Sequence, residues 1–328
     1  MKISYLDLNN TENMYLWNNF IVNSPQGSVF LEIWYLNALG IDYKILCVID
    51  NTDNIISGIV LAKNHIKTYS NPMLDKYLGV ILKEEGVLSH KVISKQYKVL
   101  ELLSKELKKY KSFDYYFHPE FKNWIPFYWN GFAQQTRYTY RVNLSIEIQE
   151  IQSRFHGNLK NDIRNAIKSN IQISKNLEYD VFYNIINKTF LRQGSKAPFN
   201  KVDLLSFIKE LTLKNRFVSF GALNQDGETI AVCGLVYDEK SSYLLLNGID
   251  NDKLVRGANA LIILEAIKYF HGKSRYFDFE GSMLPGVEQF YRRFGGELVP
   301  YYRIWNDNLF NYIKTLAKKT YKKLRYGR

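Results

Sequence analysis

Runs of alternating and periodic hydrophobic residues predict a mixture of strands and helices along the chain. In the second half, residues 217–223 and 228–237 have strand patterns joined by an Asp-Gly turn, and residues 243–247 extend them into a meander. Residues 261–270 are almost wholly apolar at helical length, which is typical of a buried helix. These patterns predict an α/β protein with a mixed sheet.

The first half shows a similar order of elements. Residues 23–40 begin with turn residues and continue as an amphipathic helical pattern. Residues 44–49 and 55–63 predict a hairpin, and an apolar stripe between residues 99 and 110 lies on a Lys-rich helix. A strand is expected at residues 113–117.

Two parts of the chain match each other in residue type. KSFDYYFHPE from Lys111 aligns with KSRYFDFEGS from Lys273, an offset of 162 residues. The segments YTYRV and PYYRI follow with the same offset, so Arg141 and Arg303 occupy equivalent positions. A chance match of aromatic strands is the alternative, but the shared order of elements favours a tandem duplication.

The duplication suggests how the chain divides. We expect a first α/β domain at residues 1–150 and a second domain of the same fold at residues 151–304, which carries the reaction centre. Residues 305–328 alternate apolar and basic positions and predict a basic amphipathic helix. That helix has three open roles: lying on a membrane surface, binding tRNA phosphates, or packing back on the first domain.

The most informative stretch follows the second helix-to-strand junction. Phe277 and Phe279 alternate with Asp278 and Glu280, so the aromatics are expected on one face of a strand and the carboxylates on the other. Ser282 is then expected to cap an aromatic helix, which a pair of glycines stops. Charged strand ends beside a helix entry are favoured ligand sites in α/β proteins.

A basic stripe is expected on a helix at residues 158–170. Lys160, Arg164 and Lys168 lie four residues apart on one side. The opposite, apolar face holds Leu159, Ile163, Ala166 and Ile167. Like charges at this spacing disfavour a helix slightly, which an anionic ligand would offset. A solvated helix face is the other interpretation.

Composition bounds the class of protein. A net charge of +12 favours an anionic partner, such as nucleic acid, a phosphorylated or nucleotide-linked substrate, or an acidic membrane, with general solubility as the alternative. Two cysteines and five histidines without zinc spacing argue against a disulfide framework and a metal site. The start of the chain has no apolar signal segment and no apolar run is long enough to span a bilayer, so we expect a cytoplasmic protein.

The segment FDFEGSMLPGVEQFYRRFGG resembles the Fem-type transferases, whose members carry two tandem domains of the GNAT acyltransferase fold. The resemblance extends to NPMLDKYLGVIL, HPEFKNWIPFYWNGFAQQTRYTYRV and NLKNDIRNAIKSN, and covers most of the chain from residue 25 to residue 304. It is nearest to the GNAT-like acyltransferases associated with envelope polysaccharides. The resemblance therefore implies two tandem GNAT-like domains.

The resemblance also implies a function. It suggests transfer of an acyl or aminoacyl group, without metal, to an amino group of a nucleotide- or lipid-linked cell-envelope sugar or peptide precursor. The donor would be acyl-CoA or aminoacyl-tRNA, with no tightly bound cofactor and no DNA partner, and the protein would work in the cytoplasm, associated with the inner face of the membrane. Lys160, Arg164 and Lys168 look like the family's basic segment, which suggests contacts to acceptor phosphates. The alternative is a basic RNA-binding or scaffold protein on an inactive transferase fold.

Amide formation needs a group that accepts the amine proton and a donor for the leaving group or oxyanion. Glu280 is the first candidate for orienting or deprotonating the amine and Asp278 the second, while a structural, helix-capping role for both stays open. Three tyrosines are candidate leaving-group acids or oxyanion donors: Tyr291 as a catalytic residue, and Tyr243 and Tyr276 as substrate contacts. Packing in the core or at its rim is the alternative for each of them.

A loop at residues 248–260 matches the position where coenzyme A-dependent GNAT enzymes hold a pyrophosphate at a helix start. Arg256, Gly257 and Asn259 stand at expected cofactor-binding positions. The second glycine of the usual pattern is missing, so the loop permits coenzyme A but does not require it.

Overall fold

A computed structural model describes residues 1–65, 68–83, 89–253 and 255–306. The predicted basic helix at residues 305–328 lies, from residue 307 onward, outside the described residues. The strands in the described ranges are β1 (Lys2–Tyr5), β2 (Tyr43–Ile49), β3 (Ile55–His65), β4 (Thr68–Ser70), β5 (Ile81–Leu82), β6 (Ser112–Tyr116), β7 (Phe132–Asn143), β8 (Gln172–Lys175), β9 (Phe217–Leu223), β10 (Thr229–Tyr237), β11 (Ser241–Ile249), β12 (Tyr276–Asp278) and β13 (Glu297–Asn306).

Helices alternate with these strands in chain order. They are α1 (Thr11–Val22), α2 (Ile33–Ala38), α3 (His90–Leu107), α4 (Ile125–Trp129), α5 (Ile148–Ser153), α6 (Gly157–Lys168), α7 (Tyr179–Arg192), α8 (Lys201–Leu213), α9 (Ala258–Phe270) and α10 (Pro285–Arg292), with short 3-10 turns at Val29–Leu31 and Asn251–Lys253. Within the described ranges, no helix combines the length and the hydropathy needed to cross a bilayer.

The chain forms two compact units whose sequence segments interleave. Of the described residues, the first unit takes 1–33, 41–136 and 301–306, and the second takes 34–40 and 137–300. These units differ from the consecutive ranges 1–150 and 151–304 expected from sequence. The reason is that most of β7 belongs to the second unit, whereas the end of β13 belongs to the first.

The first unit contains a mixed sheet in the order β1-β2-β3-β4-β6-β13, with β5 also paired to β3. The predicted hairpin is confirmed as β2 and β3. Of the pattern predicted at residues 23–40, turn residues followed by a helix, the helical part is confirmed only as the short α2, which a 3-10 turn precedes. Residues 28–31 are all buried, and Leu31 O accepts a hydrogen bond from Trp17 Nε1 at 3.0 Å, so this run cannot form one face of a longer helix.

The second unit contains a mixed sheet in the order β7-β12-β11-β10-β9-β8. The predicted hairpin at residues 217–237 is confirmed as β9 and β10, with Gly227 at φ 76° in the turn. The apolar α9 packs on this sheet and most of its residues are buried, as its sequence predicts. Mixed sheets with helices between the strands confirm the predicted α/β class.

Strand registers agree with the duplication. In the first unit Tyr116 of β6 lies opposite Arg303 of β13, and in the second unit Asp278 of β12 lies opposite Arg141 of β7. Tyr116 and Asp278 differ by the same 162 residues as Arg141 and Arg303. Equivalent segments thus pair in the same register in both units.

An opening arises where two parallel strands of the second unit part. β11 pairs with β12 only over residues 241–243 and 276–278, yet β11 continues to Ile249. The chain leaves the sheet after Asp278, and β11 leads through the 250–257 loop into α9. The C-terminal end of β11 and the start of α9 therefore border a space beside the sheet.

Gly257 begins α9 in a conformation that other residues rarely adopt. Its φ is 91°, and a Cβ built on it would lie 1.9 Å from Asp162 O of α6. The absence of a side chain thus allows the start of α9 to pack directly on α6.

We expect Gly257→Ala to lower the free energy of unfolding by roughly 2–4 kcal/mol, because it adds left-handed strain to a backbone clash. Gly157→Ala, within α6, is the matched control: nothing lies within 4 Å of its added Cβ, and it should be neutral or stabilising. Urea denaturation of both variants measures the difference. Equal effects of the two substitutions would contradict this account of Gly257.

Candidate active site

A cavity of about 440 Å³ lies in the second unit, at the opening beside β11. Its wall combines the end of β11, the C-terminal end of α7, the start of α9 and one side of α10. The residues that line it include Asp162, Arg192, Arg256, Asn259, Ala260 and Tyr291. Such a concave site with a few converging polar groups is a default candidate for ligand binding.

The start of α9 faces this cavity with polar backbone. Gly257 is the N-cap and has no side chain to cap the helix, and Leu261 N is the first amide to bond back, to Gly257 O at 2.9 Å. The amides of Asn259 and Ala260 therefore lie in the first turn, where no intrahelical acceptor exists. Asn259 Oδ1 is buried and has no hydrogen-bond partner among the described residues. Helix dipole and amides together favour an anionic group here.

Asp162 of α6 lines the cavity and pairs with two arginines. Arg256 Nε donates to Asp162 Oδ1 at 2.7 Å, and Arg293, at the end of α10, pairs with the other carboxylate oxygen. Burial favours a raised pKa for Asp162, but the hydrogen bonds and charges of both arginines outweigh burial and lower that pKa. The side chain of Arg256 is 73% exposed, so much of its guanidinium faces solvent.

Asp278 is fully buried and enclosed by protein donors. Its carboxylate accepts hydrogen bonds from Thr139 Oγ1 at 2.6 Å, Arg141 Nε at 2.8 Å and the backbone N of Glu280 at 2.8 Å. The expectation that Asp278 and Glu280 share one strand face is wrong, because β12 ends at Asp278. Asp278 therefore positions the backbone that follows it.

Glu280 has a left-handed backbone, which is strained for a residue with a side chain. Its φ is 56° and that of Gly281 is 66°. A Cβ on Gly281 would lie 2.0 Å from Tyr138 O, so the chain passes directly against β7 here. Strain of this kind concentrates at functional sites, where the surrounding structure enforces it.

Tyr291 of α10 lies at the cavity wall and close to Glu280. Burial raises the pKa of the Tyr291 phenol well above its usual value, and the charge of Glu280 raises it further. The phenol therefore keeps its proton throughout the neutral range. The phenol of Tyr291 therefore lines the cavity within electrostatic reach of the Glu280 carboxylate.

Two other predicted tyrosines lie elsewhere. Tyr243 of β11 is fully buried opposite Asp278, which corrects the expectation that it contacts a substrate. Burial raises its pKa well above the usual range. Tyr276 of β12 is half-buried, with the guanidinium groups of Arg275 and Arg141 at 5.1 and 5.6 Å from its ring centroid. A substrate contact by Tyr276 stays a prediction.

The basic stripe lies on α6, as its spacing predicts. Lys160 Nζ donates to Ser153 O at 2.8 Å, Arg164 bonds Asn161, and Lys168 is exposed. Ile167 is 57% exposed, so its place on the predicted apolar face is wrong. The stripe residues are not part of the cavity wall, and their contact with acceptor phosphates stays a prediction.

Sequence reasoning missed Asp162, Arg192 and Arg293. The only signal in the sequence is that Asp162 is a single acidic residue between the basic residues Lys160 and Arg164 of α6. Arg192 bonds Asn251 Oδ1 across the cavity rim. Among the described residues no three His, Cys, Asp or Glu side chains cluster as metal ligands.

The sequence matches no protein-family profile and no curated protein. Solved structures are similar in fold: FemX at a TM-score of 0.68 and 12% identity, covering 95% of this chain and all of that one. The structure of L-PGS from Bacillus licheniformis has a TM-score of 0.55 and 12% identity, and the match covers 91% of this chain and 92% of that one. A tandem GNAT protein from the clavulanic acid biosynthesis pathway has a TM-score of 0.55 and 10% identity, and the match covers 93% of this chain and 97% of that one. The chain therefore has the predicted Fem-like fold of two tandem GNAT-related domains.

Asp278→Asn should lower the free energy of unfolding by about 3 kcal/mol, because it leaves the buried Arg141 charge without its counterion. The pair is inaccessible, with side-chain exposures of 4% for Arg141 and 0% for Asp278. Asp226→Asn in the exposed β9–β10 turn is the control and should change stability little. Guanidinium denaturation that shows less than about 1 kcal/mol of loss for Asp278→Asn would refute the structural role.

Asp162→Asn should destabilise the protein at neutral pH by about 2 kcal/mol. Because the folded pKa of Asp162 is lowered, its contribution is present above the unfolded value of about 3.9 and is lost as pH falls through the folded pKa. Wild type and variant should therefore converge in stability at acid pH. Asp180→Asn, on an exposed pair with Lys201, should show no such convergence. A constant difference at all pH values would contradict the assignment.

Proposed function

We propose that this protein is an N-acyltransferase or aminoacyltransferase that joins an acyl group from a phosphate-bearing activated donor to an amine of a cell-envelope precursor. The observation that carries the proposal is the cavity of the second unit. Its wall has a helix start without a side-chain cap, two arginines (Arg192 and Arg256) and the protonated phenol of Tyr291. The charge of Glu280, whose backbone is strained, acts on that phenol. The reaction centre that we propose lies within residues 151–304.

The donor end of the site is the start of α9. Amides of Asn259 and Ala260, with Arg256 and Arg192 beside them, match the hydrogen-bonding needs and the charge of a phosphate. Coenzyme A thioesters and aminoacyl-tRNA both carry such phosphates. Asn259 Oδ1 supplies an acceptor for an amide or amine hydrogen of the same donor.

Glu280 and Tyr291 serve the two proton transfers of amide formation. The amine nitrogen attacks the donor carbonyl, a C–N bond forms and the C–S or C–O bond to the leaving group breaks. The carboxylate of Glu280 takes the proton that the amine loses. Tyr291, still protonated at neutral pH, gives its proton to the departing sulfur or oxygen, and exchange with solvent restores both groups.

Asp278 acts through Glu280 and does not touch substrate. Its hydrogen bond to Glu280 N sets the left-handed turn that aims the Glu280 side chain. The acceptor class follows from the Fem-type resemblance: an amino sugar or peptide linked to a nucleotide or a lipid. Lys160, Arg164 and Lys168 supply positive charge for its phosphates.

The competing function is RNA binding or scaffolding on an inactive transferase fold. It accounts for the net charge of +12, but gives no reason for the strained backbone of Glu280 near the cavity-lining Tyr291. The transferase accounts for that strain, because it gives Glu280 a role in proton transfer. Binding of RNA without transfer from any donor would favour the competing function.

Glu280→Gln and Tyr291→Phe should each lower kcat by about 100-fold or more, because each removes one proton transfer. Glu265→Gln and Tyr138→Phe, on exposed or half-exposed positions of the same unit, are the matched controls and should retain activity. The measurement is mass-spectrometric detection of amide product, with acyl-CoA and aminoacyl-tRNA supplied separately.

Thermal unfolding must show that both active-site variants remain folded. In addition, Glu280→Gln should remove the acid limb of the pH–rate profile, which a purely structural role would leave in place. Full activity of both variants with the effective donor would show that the chemistry lies elsewhere.

A further inference from the structure

The first unit exposes an unusual aromatic surface on α4. Tyr128 is 64% exposed, Trp129 61% and Ile125 41%. These three positions lie at i, i+3 and i+4, so they form one helical face. Large exposed apolar patches are uncommon on soluble proteins and mark interaction sites.

The conformation of α4 is fixed by its other face. Phe127 is fully buried, Pro126 O accepts from Ser104 Oγ of α3 at 3.3 Å, and Asn130 Nδ2 donates to Ser104 Oγ at 2.9 Å. Because these contacts hold the helix, the outward direction of Tyr128 and Trp129 is built into the fold. The rings are also braced: Tyr97 and Trp129 are 5.5 Å apart and edge-on.

The helix α3, which carries Tyr97, also carries lysines. Lys98 follows Tyr97, and Lys91 lies two turns earlier on the same helix face. Both line an open cavity of about 690 Å³ whose wall also includes Lys95 and Asp50. Among the described residues neither Lys91 nor Lys98 forms an ion pair. The cavity is therefore positively charged overall and suited to phosphate.

We propose that the α3–α4 surface, defined by Tyr97, Ile125, Tyr128, Trp129, Lys91 and Lys98, docks the protein onto an anionic lipid bilayer. Trp and Tyr rings prefer the headgroup region, where a polar edge and an apolar body are both satisfied. The lysines then meet lipid phosphates, and Ile125 meets the acyl boundary. This inference is independent of the proposed transferase chemistry.

Two observations favour lipid over RNA as the occupant. The edge-on packing of Tyr97 against Trp129, and of Trp124 against Tyr128 at 5.6 Å and 73°, occupies one ring face in each pair, and that face is not open to stacking by a base. The sequence from residue 89 to residue 136 contains eight lysines and no arginine. Arginine is the residue that pairs and stacks with nucleic acid, whereas lysine supplies the diffuse charge that a membrane surface attracts.

The test is sedimentation of the full chain with phosphatidylcholine vesicles, with and without phosphatidylglycerol. We expect binding that depends on phosphatidylglycerol. The double variant Tyr128→Ser/Trp129→Ser should weaken it about tenfold or more, and Lys91→Gln and Lys98→Gln about fivefold each. Brominated acyl chains should quench tryptophan fluorescence in the wild type and less in Trp129→Phe.

The matched control is Val202→Ser/Leu213→Ser on α8, where side chains of 72% and 67% exposure lie in the second unit. It should bind vesicles as the wild type does. All variants keep residues 307–328, so unchanged binding of the aromatic double variant would assign docking to other residues and overturn the proposal. Two other results would also overturn the proposal. If the wild type bound single-stranded RNA but not vesicles, and the aromatic double variant lost that RNA binding, the surface would bind RNA. If the wild type were a dimer on gel filtration and the double variant a monomer, the surface would bind a second copy of the chain.

Discussion

The buried pair of Arg141 and Asp278 is the interaction on which the second unit depends. Each charge would cost several kcal/mol if it were buried alone, so the two residues must be present together. Their strands lie side by side in register, and Thr139 and the backbone of Glu280 complete the coordination of the carboxylate. One ion pair thus fixes strand pairing and the direction of the chain where it leaves the sheet.

The consequence is a sheet that opens at a defined point. The carboxylate accepts the backbone N–H two residues ahead, which turns the chain at Glu280 and ends β12 after three residues. β11 continues beyond its neighbour, and α9 begins where Gly257 allows contact with α6. The early end of β12, the longer β11 and the start of α9 thus together determine where the cavity lies.

The sequence was sufficient where a pattern is local. The hairpin at residues 217–237 and the helix at 261–270 follow from turn residues and periodicity, and the structure confirms both. Alternation at residues 277–280 failed because a side chain, Asp278, competes with the strand for the backbone of Glu280. Asp162 could not be found by periodicity, because its role depends on two arginines about 94 and 131 residues away in sequence.

The two units use equivalent positions differently, which argues that chemistry belongs to one of them. In the first unit Tyr116 occupies the position equivalent to Asp278. The backbone O of Tyr116 accepts a hydrogen bond from Gly79 N at 3.0 Å, and the backbone N of Tyr116 donates to Asn71 Oδ1. The buried segment at residues 77–80 thus fills the space beside β6. His118, at the position of Glu280, is buried and its Nδ1 accepts from Glu120 N at 3.2 Å. The first copy closes this position with its own chain, which supports the proposal that substrate enters in the second copy.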